Sequence, residues 1–353
     1  MKQLSDLNVV FLETLHGNGR ISYLSDICKW HSGWKICFVT GSVAPLISRF
    51  LKALALTLYE KGSTVTLIAA SGNPRFLDGI IIEDEGVVYW GGGRVHLKGA
   101  YPVICESLID LSAAHARGLL KHSPEIFSQM SAAENYRLLT SKYIKTAGEF
   151  LKDNMKLAAN CIDTAAVERY AGKLLTHISA KKNPRISGCF LSTLSGEGNV
   201  YHCDTIKKMC DKIHSVEDEH GAVSKTIMET VKNEAIRKGL NIIVCCCPIQ
   251  GEDKIDHIIL PDERTAFVTS NKYLKRIEGS KVIRARRFTN SEKMREYAQR
   301  LAFCRRTARE LLIAASENSA QANESAMKAY SCYLKNAKCE IIDDIVGKIV
   351  TKF

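Results

Sequence analysis

The chain is expected to fold as an α/β protein of two homologous domains, each built on a parallel-type sheet and closed by a long helical extension. Three observations predict this. The sequence contains itself twice, at a spacing of about 178 residues; each copy runs strand, turn, helix, strand in series; and each copy ends in a long stretch of helical character. The repeat is clearest where Leu77-Asp78-Gly79-Ile80-Ile81-Ile82-Glu83-Asp84-Glu85 meets Ile255-Asp256-His257-Ile258-Ile259-Leu260-Pro261-Asp262-Glu263. Phe11 to Gly19 likewise meets Phe190 to Gly198, each with a Gly-x-Gly pair, Lys61-Gly62 meets Lys238-Gly239, and Cys161 meets Cys339. A period this long marks duplicated domains and not a solenoid. The 353 residues suffice for two cores, placed at 1–178 and 186–353 and joined near Ser179 to Arg185.

The elements follow in order. A short strand and turn opens each half, at Val9 to Arg20 and at Cys189 to Tyr201. Lys35 to Thr40 is an apolar run of strand length, and Leu46, Phe50, Leu51, Leu54 and Leu58 recur at helical spacing through Tyr59. Lys61-Gly62 supplies the cation and glycine that end such a helix. Thr64 to Ala69 and Gly86 to Trp90 read as further strands. The second-half equivalents are Lys212 to Val216, the helix Lys225 to Arg237, Leu240 to Cys246, and Arg264 to Val268. Helical stretches from about Ser123 to Leu175 and from about Ser291 to Val350 complete the two copies. Strands alternating with helices predict parallel pairing.

No apolar leader follows Met1, and no run reaches the roughly 18 apolar residues of a membrane span. A reducing cytoplasm is the expected home, and the thirteen cysteines are expected to be mostly small buried hydrophobes. Cys245-Cys246-Cys247 cannot converge on one ion, because adjacent strand residues point to opposite faces. Among His202, Cys203, Cys210 and His214 the last three recur at helical spacing of seven and four, but no Cys-x-x-Cys pair exists and no metal site is expected.

Glycines between a first strand and a first helix let backbone N–H groups surround phosphates, with the full signature G-x-x-x-x-G-K-[ST]. The first-half loop, Gly41-Ser42-Val43-Ala44-Pro45-Leu46-Ile47-Ser48, keeps Gly41 and Ser48 and has Ile47 at the lysine position. The repeat carries Ile47 onto Lys225 and Ser48 onto Thr226, so the second loop ends Gly221-Ala222-Val223-Ser224-Lys225-Thr226. There Lys225 and Thr226 are present, while Glu219 and Ser224 replace the two glycines. Asp78 and Asp256, matched just before apolar strands, are able to orient a water or a metal ion, or to cap a turn.

These segments resemble the bacterial tandem P-loop ATPase-like proteins. In that family each half carries a T-x-x-G-x-G-like turn, similar to Thr14 to Gly19 and Thr193 to Gly198. A complete phosphate loop and a segment like S-L-D-G-V-I-I-P-E follow, the latter similar to Phe76 to Glu83 and Lys254 to Asp262. His96 and Tyr101-Pro102 look like the family's later T-A-P-H and Y-P segments, but Gly91 and Thr269 occupy its strand-end aspartate positions. The resemblance implies a P-loop NTPase-like fold and ATP with Mg²⁺ as ligand. In the second half this would fall to Gly221, Ser224, Lys225, Thr226 and Asp256, and in the first to Gly41, Ser48 and Asp78. Ile47 cannot supply the phosphate charge and Gly91 cannot hold Mg²⁺, while Glu217, Asp218 and Glu219 oppose an incoming triphosphate. The expected function is therefore vestigial nucleotide binding in the second half, dependent on Lys225, with hydrolysis low or lost.

Charge is concentrated elsewhere. Lys272 to Arg309 holds thirteen lysines and arginines against three acids, nearly all of the net +11. Arg284, Arg286, Arg287, Arg305, Arg306 and Arg309 come in tight groups interleaved with aromatic residues, a pattern that fits a polyanion. The alternative function is thus a non-enzymatic scaffold that holds nucleic acid or an acidic protein partner on this segment. A clamp on a triphosphate and a solvated helix face are the other readings of the same residues.

Overall fold

Reciprocal backbone hydrogen bonds of 2.8 Å join Phe11 and Phe190, one at the start of each half, and the molecule is arranged about that pair. The structure is a computed structural model that describes residues 2–27, 33–93, 105–115, 118–181, 184–335 and 337–351. The first half contains β1 (Asn8–Val10), β2 (Glu13–His16), β3 (Gly19–Ser22), the one-turn α1 (Leu24–Ile27), β4 (Lys35–Thr40) and α2 (Ala44–Glu60). It continues through β5 (Val65–Ala69), β6 (Leu77–Ile82), β7 (Val87–Trp90), β8 (Glu106–Asp110), α3 (Ser123–Ala159) and α4 (Thr164–Gly172). The second half contains β9 (Ile186–Cys189), β10 (Ser192–Ser195), β11 (Gly198–Tyr201), α5 (Cys203–Met209), β12 (Lys212–Glu217) and α6 (Ala222–Arg237). After these come β13 (Ile242–Cys247), β14 (Gly251–Leu260), β15 (Thr265–Ser270), β16 (Lys281–Arg284), α7 (Ser291–Glu296), α8 (Ala298–Leu334) and α9 (Cys339–Val350).

The protein is α/β with two six-stranded sheets of one topology. Their orders are β1-β5-β6-β7-β4-β8 and β9-β13-β14-β15-β12-β16, and α2 and α6 begin at residues 44 and 222, a separation equal to the sequence repeat. The sheets are mixed and not of the parallel type expected. β6 runs antiparallel to β5 and β7, and β14 antiparallel to β13 and β15. The cause is loop length: the links 70–76 and 83–86 are too short for a crossover, so the chain must reverse. Asp78 and Asp256 accordingly lie inside β6 and β14, not before them.

Each half gives its last helix to the other. Ile342, Val346 and Val350 of α9 pack with Leu46, Phe50 and Leu54 of α2 in one core, while Val167 and Ala171 of α4 pack with Val231 and Ala235 of α6 in the other. The cations that end the first helices fasten this exchange. Lys61 Nζ donates to Val350 O at 2.6 Å, and Lys238 Nζ donates to Leu175 O at 2.7 Å and to Ile178 O at 2.5 Å. Carbonyls at helix ends lack internal partners, which makes them ready acceptors for a lysine. Gly62 and Gly239 follow with φ of +105° and +69°.

The hairpins β2–β3 and β10–β11 lie on α3 and α8 near the centre. Their Thr14 and Thr193 hydroxyls meet at 3.0 Å in the interior. The Gly-x-Gly pairs serve this docking. A Cβ on Gly17 would lie 2.6 Å from Lys145 Cα, and one on Gly196 would lie 2.8 Å from Ala320 Cα, whereas Gly19 and Gly198 take φ of +107° and +89° in the turns. The long helices run antiparallel, since Ile126 packs with Ala329 at one end and Met155 with Leu301 at the other. Among the described residues no helix is long and apolar enough to cross a membrane.

Phe11 and Phe190 are fully buried at the join. Phe190→Ala is expected to cost about 3–5 kcal/mol and to lower the denaturation midpoint of both halves together, as read by far-ultraviolet circular dichroism in urea. Separate transitions in which only one half is affected would contradict the central role of this pair.

Candidate ligand-binding site

The loop from β12 to α6 sits at the carboxyl end of its strand, and Gly221 (φ +85°) starts the helix. The exposed N–H groups of that helix end already have an anion. Asp218, 4% exposed, accepts from Ser224 N at 2.8 Å and from His220 N at 3.0 Å. A carboxylate so held satisfies the donors and the helix dipole that a phosphate would use. Ser224 Oγ donates to Gly221 O at 3.2 Å and Thr226 Oγ1 donates to Ala222 O at 3.1 Å, so both hydroxyls are engaged locally. Lys225 extends along the outside of α6, with its ammonium 3.7 Å from Glu229.

Beside this loop lies a cavity of ≈ 620 Å³, walled by α3, α8, the β10–β11 hairpin and the segment 271–274. Leu151, Leu194, Ile249 and Leu312 give it an apolar side, and Lys272, Arg305 and Arg309 converge on the other. Burial and then the charges of Arg309 and Arg305 lower the Lys272 ammonium below its ordinary range, with Glu219 opposing. Arg305 also lies 3.8 Å from Glu219. At the floor, Lys254 and Asp256 form an ion pair of 2.9 Å, 9% and 3% exposed. Burial is the largest single influence and works to lower Lys254, but Asp256, Cys247 and Asp218 together hold the ammonium above its usual range. Gln250 Oε1, Tyr273 OH and Arg305 Nε are buried here without a hydrogen-bond partner. Buried polar atoms normally have partners, so these three are the groups of the cavity wall open to a hydrogen bond from a ligand or from water. Cys247 also lines the cavity, but burial and Asp256 push its thiol up to about 12 and leave it a poor nucleophile.

The first-half loop is packed shut at the matching positions. A Cβ on Gly91 would lie 2.2 Å from Ile47 Cγ2, so the residues standing where the lysine and the aspartate would be are in contact with each other. Ser48 Oγ accepts from Leu77 N at 2.9 Å, and Gly41 lies against the Asp110 carboxylate with φ of +77°. Asp78 is only partly exposed. Burial and then the charge of Glu13 raise its carboxyl to about 7, with Arg20 opposing. His96 and Tyr101-Pro102 lie outside the described residues.

The basic segment is not one helix face. It runs through β16, a tight turn, α7 and the start of α8, and it divides around the 217–219 acids. Arg276 and Arg284 lie 3.5 and 3.6 Å from Glu217, and Arg284 and Arg286 line a second cavity of ≈ 520 Å³ on the far side of the loop. Arg287 stacks over Tyr170, 5.2 Å from the ring centre, and Arg306 is exposed. The acids that in sequence oppose an anion are thus largely matched by these arginines.

The sulfur and imidazole groups of His202, Cys203, Cys210 and His214 do not converge. His202 stacks on Phe11 and His214 on Phe267, while Cys203 begins α5 and His214 lies on β12, so the apparent helical spacing spans two different elements. Cys245 Sγ lies 3.5 Å from Cys189 Sγ, and no disulfide joins the described cysteines. Sequence reasoning missed Lys254 and the role of Asp218. The first had a signal, since Lys254 and Asp256 are two apart on a strand and therefore share a face; the second had none, because only the folded loop turns the carboxylate onto the helix end. Comparison with protein-family models, with curated proteins and with solved structures found no match to this chain.

The raised Asp78 carboxyl sets a pH dependence. Between about pH 4 and 7 the unfolded chain releases this proton while the folded chain keeps it, so the residue makes stability fall as pH rises. Asp78→Asn is expected to gain on the order of 1 kcal/mol over the native protein above pH 7 and to show no gain near pH 4, in urea titrations at both pH values. An equal gain at both would remove the titration from the explanation.

Proposed function

We propose that the protein is a degenerate tandem P-loop ATPase-like protein. In this reading it binds a nucleoside phosphate weakly in the second-half cavity and does not turn it over. The observation that carries the reading is the convergence of Lys272, Arg305 and Arg309 on a largely apolar cavity containing orphaned polar atoms. The apolar side suits a base and the cations suit phosphates. The usual phosphate-loop arrangement with Mg²⁺ does not fit the residues present: Asp218 fills the helix end, Thr226 is bonded backward, and Lys254 neutralises Asp256. The ligand's charge is therefore assigned to the three cations and not to Lys225. That no disulfide joins the described cysteines is consistent with action in a reducing compartment.

Nucleotide on the order of 1–5 mM, with and without Mg²⁺, is expected to raise the melting temperature of the native protein. Arg305→Gln with Arg309→Gln should abolish the rise, and Lys225→Ala should keep it. An unshifted native protein would sink the reading.

The second reading, a scaffold for nucleic acid, is favoured by the exposure of Arg286, Arg287 and Arg306 outside the cavity. It expects RNA or DNA affinity to fall steeply between roughly 50 and 200 mM salt, measured by fluorescence anisotropy. Glutamine at these three positions should flatten the fall, and no binding at low salt would exclude the reading.

A further inference from the structure

The antiparallel register of α3 and α8 brings the start of one helix against the end of the other, and the two ends of this pair are filled differently. Both helices have 37 residues, beginning at 123 and 298, so positions 175 apart are equivalent. At one end Leu157 and Tyr297 join Met155, Ala158 and Leu301 in apolar packing. At the other end the equivalent positions are Cys332 and His122, with Glu125 one turn into α3. Their donor atoms, an imidazole nitrogen, a carboxylate oxygen and the Cys332 sulfur, all lie within 4.8 Å of one another. The fold closes the matching end with hydrocarbon, so the helix pair itself does not require these three groups.

We propose that His122, Glu125 and Cys332 bind a zinc ion. One nitrogen, one oxygen and one thiolate form a borderline donor set that suits zinc and excludes calcium or magnesium, which take oxygen. The separations are within reach: tetrahedral zinc holds its donors roughly 3–4 Å apart, and the His122 and Glu125 side chains are exposed and make no hydrogen bond or ion pair among the described residues that would resist a small rotation. Cys332 is 7% exposed and packed with Ile126 and Ala329, which fixes the sulfur as the anchor of the site. Zinc displaces the Cys332 proton on binding, so affinity falls as pH is lowered. Three protein ligands at a surface leave the fourth position open to water. The ion would tie the first turn of α3 to the last turns of α8, where the chain leaves for α9 and the other half's core.

The test uses the full chain and zinc alone. After exposure to excess zinc and dialysis against metal-free buffer, the native protein is expected to retain one equivalent more than His122→Ala, Glu125→Gln or Cys332→Ala. Each variant should lose more than about 100-fold in affinity, beyond what changes around a ligand shell cost. His122→Ala and Glu125→Gln alter exposed side chains, so they keep the comparison sound should Cys332→Ala unfold. With cobalt in place of zinc, a thiolate-to-metal charge-transfer band should appear in the native protein and in Cys304→Ser, and be absent from Cys332→Ala. No retained zinc, or the same retention in the native protein and all three variants, would overturn the proposal.

Discussion

The hydrogen bonds that Phe11 and Phe190 exchange are the constraint on which the rest of the structure depends. They set the first residues of the two halves side by side and direct each following hairpin over the middle of the molecule. From there Thr14 and Thr193 can share a hydrogen bond, and Val9 can use the Thr205 hydroxyl, at 2.9 Å for its N–H and 2.8 Å for its carbonyl. The edge of the first sheet is covered by a helix of the second half as a result, which removes a strand edge from water. Each half in turn needs the other's last helix to close its core, so neither sheet is covered by its own sequence copy alone.

Duplication of this kind places equivalent loops in different surroundings. In the first half Ile47 is set against Gly91 and the loop is packed shut. In the second half a cavity lies beside the loop. There Asp218 accepts from the helix end, Lys254 pairs with Asp256, and three cations from 272–309 line the opposite wall. Neutralising a buried carboxylate is far less costly than leaving it unpaired, which accounts for a lysine at position 254 where the first half has Phe76 and a carboxyl raised to about 7. The ends of the helix pair also differ, one filled with hydrocarbon and one with mixed donors.

Several features were legible because they are local. Helices ending at Lys61-Gly62 and Lys238-Gly239, the strands at 35–40 and 212–217, and the matching of α2 with α6 follow from period, capping chemistry and the repeat. The directions of β6 and β14 were less so, since a run such as Ile80-Ile81-Ile82 is equally apolar in either sense. Their short links held the answer, because a parallel return needs a dozen or more residues. The surroundings of the basic segment were hidden for a related reason: charge counted along the chain takes no account of the acids at 217–219 that folding brings beside it.

What the sequence by itself determined is the duplication, the α/β class, most element positions and the absence of a complete G-x-x-x-x-G-K-[ST] run from either loop. These depend on neighbours in the chain or on comparison of the chain with itself. Tertiary structure alone decided that the halves exchange their last helices, that Asp218 turns onto the end of α6, and that Lys225 lies outside the cavity while Arg305 and Arg309 line it. Such facts depend on the direction a side chain takes and on contacts between residues far apart in sequence. A periodic pattern says which face of an element is apolar, but the partner that covers that face is chosen only when the whole chain packs.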